Sequence, residues 1–212
     1  MSWAEVHKIN ENTAMNKFNN ATVLTASTTF TVPKTGYYKI FCIGAGGSSS
    51  TSGSAANTGG GGGVAEKTAK LDKNQTYTVT VGSTVSFVST LSDTADKNYI
   101  SMSATSGTTG GDGGTATGFD STYLTYTGES GSNFSSGIRQ GGSVGCYVTS
   151  LMEKNISLGY STNSAITYSV ESGLGICGLG GGGGVIKQTN VSHTGNSQNG
   201  GVVIIPLGVE MI

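Results

Sequence analysis

Residues 37–71, YYKIFCIGAGGSSSTSGSAANTGGGGGVAEKTAKL, contain two strand-like segments joined by a long block of small residues. The first segment, YYKIFCI at 37–43, is apolar at nearly every position, which is typical of a strand buried on both faces. The second, VAEKTAKL at 64–71, alternates as a half-buried strand does. The block at 44–63 shows no apolar pattern. This stretch therefore predicts two β-strands and a glycine-rich connection.

The same alternation of strands and glycine blocks continues outward along the chain. In TYTVTVG at 76–82, Tyr77, Val79 and Val81 fall on one face and threonines on the other. Further strand candidates are 22–33, 85–91, 99–105, 185–191 and 200–208, and further glycine blocks are 107–114 and 173–184. The pattern predicts an all-β, β-sandwich-like domain over residues 22–212. Residues 1–21 are predicted to be a short N-terminal leader, either a short helix or an extended arm.

The overall composition excludes several classes of protein. Glycine accounts for 36 of 212 residues, or 17%, against about 7% in ordinary proteins. Only 2 residues are proline, and no strict Gly-X-Y period occurs, so collagen is excluded. Glycine and β-branched residues disfavour long helices. Because 11 Lys and Arg face 12 Asp and Glu, the chain lacks the basic surface that nucleic-acid binding needs, and we expect no nucleic-acid partner.

The glycine runs allow two interpretations. Glycine loses more backbone entropy on ordering than any other residue, so the runs could be flexible loops. Alternatively, they could be extended polyproline-II-like segments that pack backbone to backbone, since no side chain keeps them apart. We expect order in at least two runs, whose ends adjoin the apolar residues Val64 and Val185. The structural glycines predicted on this basis are Gly59, Gly60, Gly61, Gly62, Gly63, Gly180, Gly181, Gly182, Gly183 and Gly184.

The sequence does not supply the usual catalytic or cofactor motifs, and we expect no enzyme activity. The two histidines, His7 and His193, have no serine elbow or matched acid near them in sequence. The match to G-x-G-x-x-G at 173–178 is followed by a glycine run rather than a helix, so it does not predict a dinucleotide site. No Cys, His or carboxylate cluster has metal-ligand spacing. We therefore expect no metal and no cofactor.

The three cysteines, Cys42, Cys146 and Cys177, contain no C-x-x-C pair. We interpret them as small buried thiols. Residues 1–20 have no apolar core segment, so no secretory signal peptide is expected. No apolar run approaches the 18 or so residues that a membrane helix needs, so membrane insertion is not expected.

Five segments, in order, resemble the glycine-rich domain of phage and prophage tail proteins. They are FTVPKTGYYKIFCIGAGG, GGGGGVAEKTAKL, TYTVTVG, SGTTGGDGGTATGF, and a final GGGGG followed by GGVVIIPLG. The resemblance covers roughly residues 28–208. The opening WAEVHKIN is similar to the start of tail-fibre proteins from prophages of Gram-positive bacteria. Residues 119–170 depart from the pattern and are the candidate receptor-binding insert.

The resemblance implies a non-enzymatic tail-fibre or tail-tip protein that binds a bacterial surface receptor, either a glycan or a protein. It further implies attachment to other tail proteins through the leader, a homotrimer, and a location in the virion tail after synthesis in the host cytoplasm and release by lysis. The alternative is a structural spacer or assembly subunit of a tail or surface filament, without a receptor site of its own.

Aromatic residues of the 119–170 segment are the candidate receptor-binding residues. Tyrosine offers a rigid apolar ring with a polar tip, which suits contact with sugars or protein surfaces. The residues predicted for this role are Phe119, Tyr123, Tyr126, Tyr147 and Tyr160. The alternative is that each of them is a packing residue of the core.

Overall fold

The computed structural model describes residues 21–146, 152–154, 156–160, 167–188 and 191–208. The predicted leader lies outside these residues except for Ala21. Every regular element in the described part of the chain is a β-strand, which confirms the all-β prediction. The strands are β1 Thr22–Leu24, β2 Thr28–Thr31, β3 Gly36–Ile43, β4 Ser50–Ser52, β5 Ala55–Asn57, β6 Val64–Leu71, β7 Thr76–Thr80, β8 Thr84–Ser89, β9 Ser101–Thr105, β10 Ala116–Gly118, β11 Leu124–Tyr126, β12 Asn133–Phe134, β13 Gly137–Arg139, β14 Met152–Glu153, β15 Ile156–Tyr160, β16 Thr167–Glu171, β17 Gly175–Ile176, β18 Val185–Gln188, β19 Val191–Thr194 and β20 Gly201–Gly208.

Two five-stranded antiparallel sheets form the body of the molecule. The first sheet has the order β1-β20-β3-β6-β11, and the second has the order β10-β9-β8-β7-β2. In the first sheet β3 lies between the long strands β20 and β6, with which it pairs over most of its length. This central position explains why YYKIFCI lacks a polar face, since a strand covered on both sides needs apolar residues on both.

The main hydrophobic core fills the space between the two sheets. Alternate residues of each strand point into it, as the period-two pattern predicted. Tyr77 and Phe87 are fully buried and their rings stack with centroids 4.6 Å apart. The Tyr77 hydroxyl donates a hydrogen bond of 2.8 Å to the Asn98 carbonyl. The larger buried residues from the first sheet are Tyr38, Ile40, Val202 and Ile204, and those from the second are Val79, Val85 and Met102.

The opposite face of the first sheet is also covered. Phe41, Ile43, Val64 and Val203 form a second core with residues from the later part of the chain, among them Val144, Ile176 and Leu179. The first sheet is therefore buried on both faces, between the second sheet and the later glycine-rich segments.

The long strands of the first sheet end at one common edge, where the glycine blocks begin. Ile43, the last residue of β3, pairs with Val64, the first residue of β6, and with Gly201, the first residue of β20. The end of β9 lies at the same edge, because the Thr105 carbonyl accepts a hydrogen bond from the Gly63 amide. Glycine segments from distant parts of the sequence are thus brought together beyond this edge.

Short strands lie at the far end of these glycine segments. The strands β12-β5-β4 and β13-β18-β19 form two three-stranded sheets, and β4 and β5 of the first contact β18 and β19 of the second. We call these six strands and the turns between them the distal cap. The described strands of the 119–170 segment lie in different parts of the molecule: β11 is an edge strand of the first sheet, whereas β12 and β13 belong to the distal cap.

Candidate functional site

Residues 58–63 lie at the centre of a bundle of extended segments joined by backbone hydrogen bonds. The six amides of this segment donate to carbonyls 2.7 to 3.1 Å away. The pairs are Thr58 to Ser132, Gly59 to Gly183, Gly60 to Thr108, Gly61 to Glu129, Gly62 to Gly180 and Gly63 to Thr105. Amides three residues apart reach the same neighbouring segment, which runs in the opposite direction. This is the pattern of a helix with three residues per turn, as in polyproline II.

The carbonyls of the same segment accept hydrogen bonds from further neighbours. At distances of 2.7 to 2.9 Å, the Gly110 amide donates to the Thr58 carbonyl, Gly142 to Gly59, Gly47 to Gly60, Gly114 to Gly61 and Gly44 to Gly63. The central segment is therefore surrounded by segments 44–47, 105–108, 110–114, 129–132, 180–183 and the residue Gly142. This arrangement pairs the six amides and five of the carbonyls of the segment without a β-ladder, and we call it the glycine bundle.

A second extended segment, 180–184, lies beside the first. The Gly182 amide donates to the Gly142 carbonyl, and the Gly183 amide donates to the Gly47 carbonyl. On its other side it contacts the returning chain, where Gln198 donates to Gly181 and Gly195 donates to Gly184. The two predicted glycine runs are therefore buried and hydrogen-bonded to each other in this structure.

The ten predicted structural glycines leave no room for a side chain. A Cβ added at any residue of 59–63 would lie 1.7 to 2.6 Å from a backbone oxygen of another segment. In the second run a Cβ at Gly181, Gly182, Gly183 or Gly184 would lie 2.1 to 2.6 Å from such an oxygen. At Gly180 it would lie 2.5 Å from Val144 Cγ1, and φ is +91°, a conformation that glycine alone adopts readily. Glycine is therefore required by close approach of the backbones.

The buried side chain of Gln198 takes part in the hydrogen bonding of the glycine bundle, where other partners are backbone groups. It is 2% exposed, and its Oε1 accepts a hydrogen bond of 2.9 Å from the Gly181 amide. Its Nε2 donates to the Glu153 carbonyl at 3.0 Å and to the Ser172 hydroxyl at 3.3 Å. This role could not be predicted from the sequence, because a single glutamine in a polar loop is ordinarily a surface residue.

The Gln198→Leu variant is expected to lose about 2–3 kcal/mol of unfolding free energy, because it leaves the Gly181 amide and the Glu153 carbonyl without their partner. Urea unfolding monitored by circular dichroism measures this loss. Gln140→Leu is the matched control: Gln140 is exposed, and its replacement should change stability by less than about 0.5 kcal/mol. Equal stability of the two variants would contradict the role given to Gln198.

A polar cleft of about 470 Å³ opens where the bundle meets the distal cap. It lies between the turn after Gly47 and the turn after β19, and its lining is Ser48, Ser49, Thr194, Gly195, Asn196 and Ser197. The two walls are tied together because the Ser49 hydroxyl donates to the Gly195 carbonyl at 2.9 Å. Hydroxyl groups, each both donor and acceptor, therefore dominate this cleft.

The distal cap also exposes apolar surface from the 119–170 segment. Ile138 on β13 is 50% exposed. Beside it in sequence, the Arg139 guanidinium lies 5.9 Å from the centre of the Phe134 ring, within the range of a cation–π contact. These residues were missed at the sequence level because neither β12 nor β13 is long enough to show an alternating pattern.

The structure separates the predicted receptor-binding residues. Phe119 is 49% exposed, and its ring meets Tyr99 edge-on at 5.0 Å. Tyr126 is half-buried against the second core, and burial, with the Glu66 charge as a further cause, raises the pKa of its hydroxyl. Tyr147 lies outside the described residues, and the side chain of Tyr160 is not described.

Tyr123 requires a correction, because it is 6% exposed and packs in the main core. The Lys67 ammonium lies 4.4 Å from the centre of its ring. Its hydroxyl accepts a hydrogen bond of 3.4 Å from the Ser101 amide, and burial raises its pKa. A ring enclosed in this way cannot present its face to a receptor, so Tyr123 is a packing residue.

All three cysteines are free thiols, but the predicted burial holds for only two of them. Cys42 and Cys146 are buried, whereas Cys177 is partly exposed. Burial raises the pKa of all three, that of Cys146 to about 11. Among the described residues no group of three or more His, Cys, Asp or Glu side chains could hold a metal ion.

We expect iodoacetamide at pH 8 to modify Cys177 before Cys42 or Cys146, since only accessible thiolates react and a raised pKa lowers the thiolate fraction. Peptide mass spectrometry of a time course measures the three rates. Modification of Cys42 as fast as Cys177 in folded protein would contradict the structure.

The raised pKa of Cys146 adds folding stability below its ordinary value of 9.0, and this stability is lost as pH rises towards about 11.

A second cleft, mainly apolar and about 330 Å³ in volume, lies between the two sheets near the start of β3. Phe30, Pro33, Tyr37, Ile204 and Pro206 are among its lining residues. Since Gly36 and Leu71 pair at this end of the first sheet, the cleft lies at the edge opposite to the glycine bundle. The molecule therefore has a polar cleft near its distal cap and an apolar cleft at the other end.

Comparison of the chain with models of known protein families finds no match, and comparison with curated proteins finds no similar sequence. Within the described ranges, no helix has the length and hydrophobicity needed to cross a membrane.

Proposed function

We propose that the protein is a non-enzymatic tail-fibre or tail-tip protein of a phage or prophage, and that its distal cap binds a receptor on a bacterial surface. The resemblance of five ordered segments to tail proteins supports the phage assignment. The virion tail is the proposed location, and the leader is the proposed attachment to other tail proteins. A homotrimer is part of the same proposal.

The glycine bundle is the observation that carries this proposal. Six surrounding positions are hydrogen-bonded to residues 58–63, so the segments that lead into the distal cap are fixed relative to one another. A rigid support lowers the entropy lost when loops bind a partner. The loops of the cap are consequently suited to recognition, much as binding loops are on other rigid scaffolds.

The exposed chemistry of the distal cap fits a recognition surface. Serine, threonine and asparagine supply adaptable hydrogen bonds, and the exposed Ile138 with the Phe134–Arg139 pair supplies an apolar and cationic contact. Interfaces commonly combine a few aromatic, aliphatic or arginine residues with a polar surround.

The experiment measures labelling of a bacterial panel by the fluorescent full-length protein. Deleting residues 119–170 is unsuitable, because it would remove bundle residues such as Glu129 and Gly142 along with the cap. Instead, Ile138→Asp should reduce labelling at least about tenfold, the effect of losing a strong interface residue. Val23→Asp is the control, since Val23 is similarly exposed (42%) but lies on β1, away from the cap. Both variants should keep the wild-type melting temperature within a few degrees.

Loss of labelling by Ile138→Asp alone supports the proposal, and loss by Val23→Asp alone would move the receptor surface to the other end of the molecule. If no bacterium is labelled, or if both folded variants label as the wild type does, the structural spacer or assembly subunit becomes the better account. Sedimentation of a clean monomer would overturn the homotrimer only.

A further inference from the structure

We propose that the polar cleft between the 48–49 turn and the 194–197 turn is a binding site for a neutral carbohydrate. The proposal rests on the proposed function, because it names the chemical class of the receptor. Its first support is the volume of about 470 Å³, which lies within the range of about 300–1,000 Å³ usual for small-molecule sites.

The chemistry of the lining selects the class of ligand. Four hydroxyl side chains and one carboxamide surround the cleft, and none of its six lining residues is ionisable. A charged ligand would lose hydration there without gaining an opposite charge. A neutral molecule rich in hydroxyl groups can instead exchange its hydrogen bonds with water for bonds to Ser, Thr and Asn, each of which both donates and accepts. Neutral saccharides are the common biological molecules of this kind.

The walls of the cleft are held in place by the glycine bundle. On one side Gly47 donates to the Gly60 carbonyl and accepts from the Gly183 amide. On the other side Gly195 donates to the Gly184 carbonyl, and the Ser49 hydroxyl bridges the two walls by its bond to the Gly195 carbonyl. Because these bonds hold the two walls to the glycine bundle and to each other, little ordering is needed on binding, and even a ligand bound only by hydrogen bonds can be retained.

The test uses an array of immobilised neutral saccharides of glucose, galactose, rhamnose, N-acetylglucosamine and N-acetylgalactosamine, beside saccharides that carry sialic or glucuronic acid. We expect the full-length protein to bind members of the neutral set. Thr194→Val keeps the shape of the side chain but removes its hydroxyl, and should weaken binding about three- to tenfold, the effect of one hydrogen bond. Ser48→Arg fills the cleft and should abolish binding. Thr80→Val, on an exposed position of β7, is the matched control and should bind as the wild type does.

The same proteins are applied to the bacterial panel, so that this inference and the proposed function can fail separately. Binding of neutral saccharides that Thr194→Val weakens and Ser48→Arg abolishes supports the inference, whether or not cells are labelled. Cell labelling without neutral-saccharide binding, or binding that the folded cleft variants retain, overturns the inference and leaves the receptor function standing. Saccharide binding without any cell labelling overturns the receptor function alone. Absence of both overturns both.

Discussion

Replacing Gly61 with valine is expected to lower the unfolding free energy by more than about 4 kcal/mol. Single substitutions cause losses of this size only through severe defects such as steric overlap in a packed interior. A Cβ at Gly61 would lie 2.0 Å from the Ser143 carbonyl oxygen, and one at Gly182 would lie 2.1 Å from the Gly59 carbonyl oxygen. Both oxygens belong to backbone that is itself hydrogen-bonded on several sides, so neither can move without breaking further bonds. Gly182→Val should therefore behave in the same way.

Thermal melts of the two valine variants measure this effect. For a domain of this size about 4 kcal/mol corresponds to a fall in melting temperature of about 8–16 °C. Gly82→Val is the matched control, because the nearest atom to an added Cβ there is 3.9 Å away, and its melting temperature should change little. Where a valine variant does not accumulate as folded protein, Gly61→Ala supplies the measurement. A melting temperature within about 1 °C of the wild type for Gly61→Ala or Gly182→Val would contradict close backbone packing.

The second large effect is expected in the sandwich. Phe87→Ala should cost about 3–5 kcal/mol, the usual result of removing a buried aromatic ring. Phe87 is fully buried, and its ring contacts Tyr77 at 4.6 Å and Phe30 at 6.2 Å between centroids.

Phe119→Ala is the matched control for this prediction, since it makes the same chemical change at a half-exposed site where the ring contacts Tyr99 edge-on. It should cost less than about 1.5 kcal/mol, the upper range of an aromatic pair. Denaturant unfolding compares the two. Equal losses would show that the main core does not lie between the two sheets as described.

Strands with period-two patterns could be predicted from the sequence, because the alternation of apolar and polar residues shows which face of the strand is buried. Tyr77, Val79 and Phe87 are examples, and all three point into the main core. Packing of the glycine runs is one of the two interpretations that the sequence allows, and it is favoured because the apolar residues Val64 and Val185 adjoin their ends.

The partners of the glycine runs could not be predicted. The bundle is joined by backbone groups, which every residue carries, so Ser132 and Glu129 occupy positions beside Thr58 and Gly61 without a sequence signal. The distal cap was missed for a related reason, since its strands are too short to alternate. Tyr123 was misassigned because a tyrosine in an irregular segment gives no indication of which sheet will cover it.

Hydrogen exchange of the Gly59–Gly63 amides tests the central claim, the ordered glycine bundle, most directly. Each of these amides donates to a carbonyl of another segment at 2.7 to 3.1 Å, and all five residues are buried. Their exchange, followed by NMR, should require global unfolding, as does exchange of the most protected amides of β3. The exposed Gly82 provides the unprotected reference within the same spectrum. Protection of Gly59–Gly63 equal to that of β3 is the predicted result, and exchange as fast as that of Gly82 would contradict the account.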